Sequence, residues 1–331
     1  MLLVAPHVQL TSLSLQLCGG NTDAAINNVL ATLATLPSLS RLRLKLASFA
    51  HETAIELSLL AACRSLTVLT VAHLMGCAPV LTEAQVNQIR SCLGHLSHFS
   101  VGQMHSNELE RFLQPPSTAR WRDIGFVYAD ANTAELLLRL PTLTRLDLTY
   151  DWTTPHVEFL PQLSHLTTLK LDCHHRGRVW FIPANALLAS LLLCPGLTQL
   201  KLTCGFDSTH WSALFARLTR LKTLTIRGGE LNTLKCFAAG PITQSLEKLI
   251  IDDYALPPIA VNHLYALRRL RTLDLRRCFQ PHLDSATIAS LSPPTPLLPA
   301  LTTLFHGKRG TRDFVERKGA SFEWMQQRMT L

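Results

Sequence analysis

The 331 residues predict an α/β solenoid, in which stacked units each give one strand to a concave parallel sheet and a helix or tight connection to the convex side. Two observations carry this. An aliphatic residue followed by others at +3 and +5 recurs along nearly the whole chain, starting at positions 10, 39, 66, 96, 121, 143, 166, 197, 221, 246, 270 and 301. The stretches between these starts carry helical spacing of apolar residues or proline-rich connections.

The +3/+5 members read as short strands, because alternate side chains of an extended chain point to one side. The clearest are Leu10/Leu13/Leu15, Leu39/Leu42/Leu44, Leu66/Leu69/Val71, Leu96/Phe99/Val101, Leu143/Leu146/Leu148 and Leu166/Leu169/Leu171. Leu197/Leu200/Leu202, Leu221/Leu224/Ile226, Leu246/Leu249/Ile251 and Leu270/Leu273/Leu275 continue the series. Trp121/Ile124/Phe126 fits less well, and Leu301/Leu304 meets His306 at its third place. A Leu or Cys often stands three residues ahead, as at Leu36, Cys63, Leu140, Cys194 and Leu218.

Between strands, Thr22 to Thr35 places Ala25, Ile26, Val29, Leu30 and Leu33 at helical spacing. Thr82-x-x-Gln85 forms a capping box ahead of Val86, Ile89 and Leu93. Ala184–Leu193 and Ser208–Arg217 read as further helices. The short units around Leu143, with Pro155 and Pro161, predict extended connections. Residues 1–306 are therefore expected to form one solenoid of about eleven or twelve units, and 307–331 a basic C-terminal cap or tail.

Composition narrows the function classes. A 47% hydrophobic, 16% charged chain is no disordered segment. The net charge of +8 is diffuse: Lys308, Arg309, Arg312, Arg317, Lys318 and Arg328 against Asp313, Glu316 and Glu323 place +3 of it in the tail. Nine cysteines with no Cys-x-x-Cys pair suggest neither a disulfide framework nor a zinc ribbon. With no glycosylation sequon, no signal-peptide pattern at Met1-Leu-Leu-Val and no apolar run of about 18 residues, the expected place is the cytoplasm, or the nucleus.

The repeated Leu-x-x-Leu-x-Leu resembles the leucine-rich-repeat family, whose unit continues to an Asn or Cys at its ninth position. Here that position is Cys18 in the first unit and Cys278 in Leu270–Cys278, and it is never Asn. Long units without an asparagine ladder are most similar to the ribonuclease-inhibitor-like and cysteine-containing subclasses, the latter typical of F-box substrate receptors. The resemblance implies a horseshoe that binds other macromolecules, and it leaves the partner open.

Candidate residues follow from register. One outward column runs through Ser14, Arg43, Thr70, Ser100, Gly125, Asp147, Lys170, Lys201, Thr225, Ile250 and Asp274. The next holds Lys45, Val127, Asp172, Arg227, Asp252 and Arg276. The basic start at Arg41, Arg43 and Lys45, the small uncharged middle from Thr70 to Val127, and the mixed charges beyond suit a protein partner. A nucleic-acid backbone favours one unbroken basic stripe, so nucleic acid is the disfavoured alternative. The 31-residue spacing from Leu166 to Leu197 makes room for a loop, Cys173–Pro183, whose Arg178 and Trp180 are residue types enriched at binding hot spots.

No catalytic constellation, metal set or cofactor motif emerges: His174-His175 beside Cys173 would diverge on an extended segment, and no His-Glu-x-x-His, phosphate loop or Gly-x-Ser-x-Gly occurs. Cys63 and Cys194 stand where leucine usually does and read as small buried apolar residues. The expected function is a non-catalytic protein-interaction scaffold using the concave sheet face. The alternatives are the substrate-recognition part of a ubiquitin ligase without a visible F-box, and nucleic-acid binding through the basic patches.

Overall fold

Each of the twelve matches forms one strand. The structure, a computed structural model, describes residues 9–17, 23–46, 56–73, 84, 86–87, 90, 95–114, 121–150, 156–173, 184–203, 208–227, 234–238, 240–252, 262–277, 298–306 and 314–317. These fall into two compact units, Met1–Thr149 and Tyr150–Leu331. The capping box at Thr82, the Cys173–Pro183 loop beyond its first residue, and Cys18, Cys204 and Cys278 lie outside the described residues.

The first unit runs β1 (Ser12–Leu17), α1 (Asp23–Ala34), β2 (Arg41–Leu46), a 3₁₀ turn (Leu57–Ala62), β3 (Val68–His73) and β4 (His98–Met104). It continues through α2 (Ser106–Leu113), β5 (Asp123–Ala129), α3 (Thr133–Leu138) and β6 (Arg145–Tyr150). Its strands follow chain order, and β1 to β5 pair in parallel, Leu13 with Leu42, Leu42 with Leu69, and Leu69 with Phe99. The second unit holds a 3₁₀ turn (Leu160–Gln162), β7 (Thr168–Cys173), α4 (Ala184–Leu192), β8 (Gln199–Thr203), α5 (Ser208–Arg217) and β9 (Thr223–Arg227). A 3₁₀ turn (Leu234–Phe237), α6 (Ile242–Ser245), β10 (Lys248–Asp252), a 3₁₀ turn (Asn262–Ala266), β11 (Thr272–Arg277) and β12 (Thr303–His306) complete its parallel ladder. A last strand, β13 (Phe314–Arg317), belongs to the tail and pairs antiparallel with β12.

The repeat leucines make the core. Leu42, Leu44, Leu69, Val71, Leu146 and Leu148 in one unit, and Leu169, Leu200, Leu224, Leu249 and Leu273 in the other, are all buried. Burying each leucine side chain contributes about 1.5–3 kcal/mol. Where the described residue three ahead of a start is Leu or Cys, it is buried too: Cys63 and Cys194 fill the slot that Leu36, Leu140 and Leu218 fill elsewhere. Cys63 points its thiol at the carbonyls of Leu36 and Leu39, 3.7 and 3.4 Å away. Burial pushes the Cys194 thiol up to about 11 and Cys236 to about 12, so neither offers a thiolate at neutral pH. Where the pattern is weakest, rings replace leucines: Phe99, Phe112 and Trp121 pack with centroids 5.1 to 5.8 Å apart.

A second repeat lies beside the leucines. The residue after each opening leucine is commonly Ser or Thr, and its hydroxyl donates to the carbonyl of its counterpart one repeat earlier. Ser40 donates to Thr11 at 3.0 Å, Thr67 to Ser40 at 3.2 Å and Ser97 to Thr67 at 3.2 Å. Thr144, Thr198 and Thr302 do the same to Arg122, Thr167 and Arg271. The same carbonyl also accepts two backbone N–H groups, as Thr11 does from Ser40 and Arg41. A hydroxyl ladder at the strand entrance thus ties successive repeats together, in a chain whose ninth position never carries asparagine. Where hydroxyls lapse, Lys222 and Glu247 face each other at 3.5 Å instead.

Two strands depart from plain alternation. Between β4 and β5 the register slips after Ser100↔Gly125, so that Met104 stands opposite Val127. Val127, expected in an outward column, is fully buried. Between β10 and β11 the register slips as well, and Arg277 takes the place opposite Asp252 that alternation assigned to Arg276.

Candidate functional site

The faces of the strands away from the leucines carry three columns of side chains, at two, four and six residues past each opening leucine. In the first unit, Arg41 and Arg43 project from β2 and are exposed. Lys45 follows on the same strand, in register with Gln16 and Ala72. Thr70, Ser100 and Gly125 continue the middle column as a strip of small residues. Gly125 lies close under its neighbour: a Cβ on it would stand 2.9 Å from the Ser100 hydroxyl oxygen, which would have to move aside.

Beyond the strip lies a polar cluster. Nδ1 of His98 is 2.8 Å from a carboxylate oxygen of Asp123, off the line of a good hydrogen bond. Nε2 of His98 is 3.4 Å from the Thr70 hydroxyl. Nε of Arg145 lies 3.5 Å from Asp123 and 3.8 Å from Asp147. Asp147, expected to display itself, is only 8% exposed, while Arg145 beside it reaches solvent. The sequence reading passed over His98 and Asp123. They stand two residues past the opening leucine or its tryptophan equivalent, a column as outward as the two it followed, and that periodicity was the available signal.

The second unit places Lys170 directly beside Lys201 and Lys201 beside Thr225. Nζ of Lys170 lies 3.5 Å from Asp172 on the same strand, and Nε of Arg227 lies 3.9 Å from Asp252 on the next. Asp274 follows in the middle column beside Ile250 and, like Asp252, is nearly buried. Partly exposed pairs of this kind are worth well under about 1 kcal/mol each. Their effect is to order long side chains on a preformed surface. Of the other expected residues, Arg276 holds its place in β11 with Arg277 opposite Asp252, while Arg178 and Trp180 lie outside the described residues.

Chemically, these faces offer guanidinium, ammonium, carboxylate and hydroxyl groups on rigid strands, with side chains half-buried. Among the described residues no three His, Cys, Asp or Glu converge to hold a metal ion, and no helix is long and apolar enough to cross a membrane.

Among solved structures, the yeast Rad7 and Elc1 complex contains a chain similar to this one at a TM-score of 0.56 and 17% identity, over 90% of this chain and 76% of that one. This chain has the leucine-rich-repeat fold. The TLR13–ssRNA13 complex aligns at a TM-score of 0.44 and 15% identity over 91% of this chain, and the mouse RP105/MD-1 complex at 0.40 and 19% over 89%. The leucine-rich-repeat chain here spans less than half of those two, 43% and 45%. No protein-family model and no curated protein sequence matches it.

Proposed function

We propose that this chain is a non-catalytic protein-interaction scaffold that binds its partner through the outward faces of its strands. One observation carries the reading: in each unit a parallel ladder, of a kind ordinarily covered on both faces, keeps charged and hydroxyl side chains partly exposed on one of them, Arg41 and Arg43 in the first and Lys170, Lys201 and Arg227 in the second. Mixed charge on a preordered surface sets which partner docks and how fast. The yeast Rad7 structure, itself a complex with Elc1, supports a protein as the partner class. The narrower alternative, the substrate-recognition part of a ubiquitin ligase, rests on the subclass resemblance and predicts co-purification with ligase subunits.

The test is affinity capture from lysate with the parent and two variants, Arg41→Glu/Arg43→Glu on the first face and Lys170→Glu/Lys201→Glu/Arg227→Glu on the second. All substituted side chains are at least partly exposed, so folding is checked by circular dichroism and expected to be intact. A protein retained by the parent and reduced at least tenfold by either variant supports the reading. Identical retention by all three overturns it.

A further inference from the structure

β2 differs from every other strand described here in carrying three basic residues at alternate positions, and the register partners of Arg41 and Arg43 are all uncharged. Arg41 stands between Ser12 and Val68, Arg43 between Ser14 and Thr70, and Lys45 between Gln16 and Ala72. Among the described residues no carboxylate forms an ion pair with Arg41 or Arg43. On other strands Lys170 has Asp172 and Arg227 has Asp252 as acidic neighbours. Both arginines are exposed.

Same-face residues along a strand repeat every ~6.6 Å, two steps of about 3.3 Å. An extended segment lying along β2 repeats its own side chains at the same interval. Carboxylates at alternate positions of such a segment would therefore meet Arg41 and Arg43 one for one, and an arginine guanidinium takes a carboxylate with two parallel hydrogen bonds. The neighbouring Ser12, Ser14 and Thr70 are short, which leaves room for a backbone to approach the row.

We infer that β2 is the docking strand for an extended acidic segment of the partner protein, with carboxylates at alternate positions seated on Arg41 and Arg43. The inference rests on the scaffold reading and names the chemistry of the partner. A nucleic acid fits less well. Its affinity comes from roughly six to ten phosphate contacts, whereas the row stops after three cations, and the same face turns acidic at Asp123 and Asp147.

Fluorescence anisotropy of the full chain with a labelled ten-residue peptide alternating Glu and Thr tests this. The decisive variant is Arg41→Ser/Arg43→Ser, which copies the residues β1 already carries at those places. The parent is expected to bind the peptide at least tenfold more tightly than this variant, and Arg41→Glu/Arg43→Glu to prefer a Lys/Thr peptide instead. Equal binding by parent and serine variant overturns the proposal, as does tighter binding of a ten-nucleotide single strand at the same salt. If the peptide result is negative while lysate capture still depends on Lys170 and Lys201, the scaffold reading survives and only the β2 assignment fails. Capture indifferent to both faces removes the reading itself.

Discussion

At the scale of single residues, short hydrogen-bonding side chains decide local geometry that apolar periodicity leaves open. Asp130, at the end of β5, accepts hydrogen bonds on one carboxylate oxygen from the backbone N–H of Asn132 and of Thr133, both at 3.0 Å. The Thr133 hydroxyl, 3.0 Å from the same oxygen, donates to the Tyr128 carbonyl at 2.8 Å. This closes the turn into α3. Partial burial works against the Asp130 charge, but hydrogen bonds from the side chains of Ser106 and Thr133 and from those two amides outweigh it, and the carboxyl titrates below 3.8. A lowered folded-state value means that the stabilisation is fully present above the unfolded value and is lost as the pH falls through the folded one. Asp130→Ala should therefore cost about 1 kcal/mol near pH 7, the usual worth of a helix-entry cap. The gap from the parent should narrow below pH 4. Urea unfolding at both pH values checks it, and an equal gap at both would refute the assignment.

The next scale is the element, where the strand entrance matters as much as the leucines. Ser40, Thr67 and Ser97 form a continuous hydroxyl ladder over β1 to β4. A hydrogen bond of this kind contributes about 0.5–1.5 kcal/mol. Replacing all three with alanine should lower the stability of the first unit by about 1.5–4 kcal/mol without altering its strands, read by denaturant midpoint and circular dichroism. A change below 0.5 kcal/mol would show the ladder to be ornamental. The ladder was visible in the sequence as Leu-Ser/Thr, but the periodicity argument had no use for a polar residue that faces neither the core nor the outward columns. At β12 the tail supplies β13, which covers the backbone edge that a terminal strand would otherwise expose.

For the whole molecule, the chain divides at Thr149/Tyr150 into two compact units, beside the short, proline-bearing repeats that the sequence marked as irregular. Each unit has its own aromatic anchor: Phe99, Phe112 and Trp121 in the first, Trp211, Phe215 and Phe237 in the second. Repeat stability is carried by each repeat and its neighbours, so damage stays local. Phe99→Ala, costing about 3–5 kcal/mol, should release amide hydrogen exchange across residues 12–149 well before residues 199–275. Simultaneous loss of protection in both units would show a single cooperative block.

The sequence alone determined the repeat, the places of the strands and the identity of the core, because a period-two strand pattern recurring every 22 to 31 residues admits few other foldings. It also placed α1 and α5 to within a residue or two, and the buried cysteines. Only the tertiary structure decided what the outward faces look like. Alternation put Val127 in an exposed column, where the structure buries it, and gave Arg276 the place opposite Asp252 that a register slip hands to Arg277; a slip depends on how neighbouring strands fit, which no single strand encodes. Burial of Asp147 beneath Arg145, the approach of His98 to Asp123 and the lack of a carboxylate beside Arg41 and Arg43 are likewise relations between strands tens of residues apart in the chain. Periodicity reports which side of a strand a residue takes; only packing reports what stands next to it there.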